Sequence, residues 1–170
     1  MLSNHRKMAL MLVSGTLSLA AAAVSAVPGH GGGHGHDDKK GAYNGHAAAL
    51  GEPGDPKANA RVINVNMTDE MRFSPATVMV SRGETVKFVV KNSGQLKHEM
   101  TLGMIDELVE HAKVMEKHPE MEHDDPNAVT VDPGKTRTIL WKFTKAGTFD
   151  YGCLVPGHMQ GGMKGKIIVR

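Results

Sequence analysis

Between Arg61 and Val169, short runs rich in Val, Ile, Thr and Phe recur at fairly even intervals, each closed by turn residues. They read RVINVNM, FSPATVMV, ETVKFVVKNS and KHEMTL, then AVTVDPG, TRTILWKF, GTFDYGC and KGKIIV. Such runs predict strands. Within TVKFVV the pattern alternates, with Val86, Phe88 and Val90 on one face and Thr85, Lys87 and Val89 on the other. Ser81-Arg82-Gly83-Glu84, Asp132-Pro133-Gly134 and Lys145-Ala146-Gly147 supply turns between strands. Seven or eight strands so spaced predict an all-β fold, an antiparallel Greek-key β-sandwich. In it TRTILWKF would carry Trp141 inward.

One segment departs from that texture. MIDELVEHAKVMEKH sets Met104, Leu108, Ala112 and Met115 at helical spacing with acids opposite, which predicts a single short helical insertion from Met104 to Lys117. The Met and Leu side chains suit a packing face, since methionine fills irregular apolar gaps. From Asp106 to Asp125 acids far outnumber lysines, giving an acidic surface feature.

The N-terminal third divides in two. His5, Arg6 and Lys7 precede an apolar run from Met8 to about Ala23, and Val24-Ser25-Ala26 supplies small residues for cleavage, the pattern of a secretory signal peptide over residues 1–26. Export into the periplasm is expected, with no membrane attachment after cleavage. Residues 27–58 are mostly Gly, His, Ala, Pro, Asp and Lys, a composition that buries too little surface to offset the entropy of ordering. They read as a disordered His-rich tail, leaving one domain over 59–170. His30, His34, His36 and His46 can bind metal weakly from a flexible backbone. Loss of Arg6 and Lys7 with the signal peptide brings 20 basic and 18 acidic residues into balance, which gives no support for a nucleic-acid partner.

The chain has one cysteine, Cys153, so no internal disulfide can form in an exported protein that would otherwise favour them. It sits in CLVPGHMQGGM with His158 and Met163. Thiolate, imidazole and thioether in one loop are a soft ligand set that selects copper over magnesium, calcium or manganese. A second imidazole would complete a His2Cys trigonal site with a weak axial Met, and His98 in KHEM is the candidate donor. Met159 is a competing thioether, but it directly follows His158 and should point away. His111, Met115, His118, Met121 and His123 gather further soft and borderline donors in the acidic insertion, candidates for additional copper.

The stretch YGCLVPGHMQGGMKGKIIV, with KHEM upstream, resembles the ligand loop of the cupredoxins, the small type 1 copper proteins. The resemblance covers about Arg61 to Arg170 and implies copper held by His98, Cys153, His158 and Met163. The His-rich tail, the H-E-M context and the Met- and His-bearing acidic insertion are similar to the exported bacterial copper-resistance, CopI-like, cupredoxins. That subgroup implies a role in periplasmic copper tolerance. Many blue copper proteins place Asn after the first ligand His, where its side chain ties the two ligand loops together. Glu99 stands there in this chain, and an ionised carboxylate only accepts hydrogen bonds.

The expected function is therefore copper binding that contributes to copper tolerance, with oxidation of Cu(I) as an added activity. The alternative is a small electron-transfer cupredoxin serving periplasmic redox partners, with His158 as the exit point. Multicopper oxidases and nitrite reductases need further His motifs and more domains, a binuclear copper site needs a second Cys, and a hydrolase needs a nucleophile elbow that is absent.

Overall fold

The computed structural model describes residues 47–120 and 125–170. These form ten strands and one helix: β1 Gly51–Pro53, β2 Arg61–Thr68, β3 Arg72–Ser74, β4 Thr77–Val80, β5 Thr85–Asn92, β6 His98–Gly103, α1 Ile105–Lys117, β7 Ala128–Val131, β8 Thr136–Phe143, β9 Gly147–Gly152 and β10 Lys164–Val169. One sheet has the order β1-β8-β5-β2-β3 and the other β4-β10-β9-β6-β7. Most pairings are antiparallel, but β2 runs parallel to β5 and β4 parallel to β10. The sheets are mixed, which corrects the expectation of purely antiparallel pairing.

The alternation read from the sequence becomes the core. Val86, Phe88 and Val90 of β5 are buried beside Ile139, Trp141 and Phe143 of the neighbouring β8, in one cluster with Ile167 and Val169 of β10 from the other sheet. Phe88 and Phe143 meet edge to face at 6.3 Å, an arrangement favoured by the ring quadrupoles. The run FSPATVMV is divided: Arg72–Ser74 joins the first sheet and Thr77–Val80 the second, so the chain crosses the sandwich at Pro75-Ala76.

Residues 47–58, ahead of the expected domain start at residue 59, include ordered structure. Gly51–Pro53 pairs with Phe143, Lys142 and Trp141 of β8, and Ala47 and Leu50 are buried in the main core. The rest of the expected tail, and the signal segment, lie outside the described residues.

Helix α1 starts one residue after the expected Met104 and ends at Lys117 as expected. It lies over β6 and β9 through Leu108, Ala112 and Met115, which form a second small cluster with Leu154 and Met159. Gly103 lets it come close, since a Cβ there would lie 3.0 Å from a Leu108 methyl. Strand β6 is buried along all six residues, between the core and this helix. Among the described residues no helix is long and apolar enough to cross a membrane.

Candidate metal centre

His98 is the first residue of β6, held opposite Val131 of β7, and its side chain is fully buried. Cys153 directly follows β9, and the loop from it to Met163 closes on itself. The Cys153 amide donates to the Met163 carbonyl (3.1 Å), the Met163 amide to the His158 carbonyl (3.0 Å), and the His158 amide to the Val155 carbonyl (3.0 Å). Gly157 (φ 84°) and Gly162 (φ 99°) take the left-handed conformations that this tight path needs and that a side chain would resist.

These two segments bring three donor atoms together. His98 Nδ1 lies 3.1 Å from His158 Nδ1, which in turn lies 3.3 Å from Cys153 Sγ. One ligand atom from each residue falls within 4.8 Å of the others. Donors about 2.0–2.3 Å from a shared ion in a trigonal arrangement stand roughly 3.5 Å apart, so the set fits a single ion with little adjustment. His98 and Cys153 are buried and His158 is half-buried, which leaves the imidazole of His158 as the donor nearest solvent.

Met163 is fully buried in the same core cluster as Cys153. Met159 belongs to the other cluster, with its methyl and sulfur 3.5 and 3.6 Å from where a Gly152 Cβ would be, toward α1. The two thioethers of the loop thus sit in different packing environments.

Burial pushes the Cys153 thiol up to about 12, with the Glu99 carboxylate adding to the effect and the Glu99 and Val155 amides opposing it. The Glu99 amide donates to Sγ at 3.3 Å. Burial also lowers His158, helped by the neighbouring His98. Without a cation the cavity therefore favours neutral donors, and a bound cation would displace the thiol proton. The Glu99 side chain, standing where many blue copper proteins have Asn, accepts a hydrogen bond from the Thr101 hydroxyl.

His111 and Met115 lie on the buried face of α1, and His118 is exposed at its C-terminal end, 3.7 Å from Glu120. Met121, His123, His30, His34, His36 and His46 lie outside the described residues. Two side chains that the sequence reading passed over stand beside the site. Asp69 Oδ1 is 3.0 Å from His98 Nε2, and buried Asn92 donates to the Leu96 and Val131 carbonyls, shaping the approach to His98. Both fall among ordinary turn and strand residues, so spacing gives no signal for either.

Residues 60–170 match the family model of copper binding proteins of the plastocyanin/azurin family. The chain belongs to this family, the cupredoxins, and its cofactor is copper. It is 46% identical over 141 residues to the copper-resistant cuproprotein CopI of Rubrivivax gelatinosus, covering 83% of this chain and 81% of that one. With CopI of Pseudomonas aeruginosa the identity is 36%, over 74% of this chain and 84% of the relative. Within the family the chain is CopI-like. Among solved structures it is similar to auracyanin A, a "blue" copper protein of Chloroflexus aurantiacus, at 26% identity and a TM-score of 0.57, covering 66% of this chain and all of that one.

Proposed function

We propose that this chain is a periplasmic protein that contributes to copper tolerance by binding copper at His98, Cys153, His158 and Met163. The observation that carries the reading is the convergence of two imidazole Nδ1 atoms and the chain's one thiol in a preformed cluster, with His98 and Cys153 buried and His158 half-buried. The CopI relatives, described as copper-resistant, give the direction of the physiological role.

A buried thiol and a pair of imidazoles favour a soft or borderline cation over abundant hard ones. A preformed site also changes little between copper oxidation states. Cuprous ion captured there can lose one electron to an acceptor outside the chain, which is the added Cu(I)-oxidising activity. The histidines before residue 47 would raise the local supply of copper. His158, nearest solvent, is the natural route for metal or electron.

The test is growth in excess copper of cells lacking the protein, complemented with wild type, with Cys153→Ser, or with residues 27–46 deleted. Tolerance should be restored by wild type and lost with Cys153→Ser. Full tolerance with Cys153→Ser would reject capture at this site, and full tolerance with the deletion would remove the tail from the account.

A further inference from the structure

The turn between β2 and β3 touches both segments that carry the candidate ligands. Met71 holds it in a left-handed conformation (φ 58°), with its amide donating to the Thr68 carbonyl. On one side of it, Asp69 accepts from the Gln95 amide (2.7 Å), the Leu96 amide (3.2 Å) and His98 Nε2 (3.0 Å). On the other, Arg72 Nη1 donates to the Gly161 carbonyl inside the ligand loop (3.0 Å) and to the Met71 carbonyl (2.7 Å). Gly94 makes the approach of Asp69 feasible, because a Cβ there would lie 2.0 Å from Asp69 Oδ1 and 3.1 Å from its amide nitrogen.

We propose that Asp69 is a positioning residue of the copper site: its carboxylate holds the His98 ring with Nδ1 turned inward and favours Cu(II) over Cu(I). With Arg72, the same turn ties the segment that carries His98 to the loop that carries Cys153, His158 and Met163. The proposal rests on the reading of His98 as a ligand. A carboxylate on Nε2 fixes the proton there and leaves the Nδ1 lone pair for metal. It also makes the imidazole a stronger donor, and its negative charge stabilises the more highly charged ion.

The test uses the full chain with Asp69→Asn, near-isosteric and neutral, and with Gly94→Ala, which leaves the carboxylate in the sequence but forces it away. Cu(II) and Cu(I) affinities are measured by chelator competition and the midpoint potential by redox titration. In metal-free protein the His98 tautomer is read from imidazole 15N shifts.

Removing a hydrogen-bonding partner of a metal-bound histidine costs about 10–100-fold in affinity. Here the loss should fall mainly on Cu(II), so the potential rises by about 59 mV for each tenfold difference between the two ions. The wild-type ring should be protonated at Nε2, and both variants should raise the potential. Equal losses for both ions with an unchanged potential, or an Nδ1-protonated ring in wild type, would overturn the proposal. A His98→Ala variant that keeps wild-type copper absorption would instead defeat the ligand reading beneath it.

Discussion

Leu50 offers a sharp test of how the domain is held together, because it precedes the segment that reads as the sandwich yet is fully buried in the core. Its carbonyl accepts from the Thr144 amide at 3.2 Å, and the following Gly51–Pro53 strand pairs with β8. Leu50→Ala leaves a cavity at the edge of the cluster that contains Phe143 and Trp141. Fully buried Leu→Ala changes cost about 2–5 kcal/mol. The loss here should be about 3 kcal/mol and no larger, because ordering each backbone residue of the arm costs about 1–2 kcal/mol and an arm without its anchor can undock. That corresponds to a fall of about 10 °C in Tm for a domain of this size. The assay is urea unfolding of metal-free protein, since bound copper adds its own stabilisation to the folded state. A loss under about 0.5 kcal/mol, the range of surface substitutions, would refute the role of the arm. The consequence for function is direct. Deleting residues 27–46 probes the histidine tail, whereas deleting through Ala58 also removes Leu50 and confounds copper capture with stability.

Gly165→Ala should destabilise by about 1–3 kcal/mol in the same unfolding assay, because the added Cβ would lie 2.2 Å from Cζ of Tyr151, a buried ring fixed by its bond to the Pro75 carbonyl and by Phe73. An unchanged midpoint would show that the ring can move aside. Glu84 accepts from Arg61 and from the Ser81 amide, and the Arg61 hydrogen bond first of all lowers its ionisation below the ordinary carboxylate range. A depressed folded-state value adds stability above the unfolded value that is lost as pH falls through the folded one, so the cost of Glu84→Gln should be present at pH 7 and shrink in acid. A cost independent of pH would show that charge is not involved.

Much of the fold is legible in the chain because its signals are local. Val86, Phe88 and Val90 alternate, Leu108, Ala112 and Met115 repeat at helical spacing, and both patterns face where they should. Cys153, His158 and Met163 stand out as candidates for the same reason, being neighbours in one glycine-rich loop. What escaped the sequence depends on distant partners. The parallel pairing of β2 with β5 follows from the order in which the chain crosses the sandwich, which no strand records in its own residues. Leu50 sits in an Ala- and Gly-rich segment without periodicity, and its burial is decided by the groove left beside β8. Asp69 is an ordinary turn residue until the fold sets it against His98. Glu99 is legible as a departure from the usual Asn, but only the fold shows its amide donating to the Cys153 sulfur.

The central claim is that Cys153 ligates copper with His98, His158 and Met163. An optical spectrum with copper quantification, taken on wild type and Cys153→Ser, tests it most directly. The account predicts intense visible thiolate-to-copper absorption in wild type and its disappearance in the variant. The same band persisting in Cys153→Ser would contradict it.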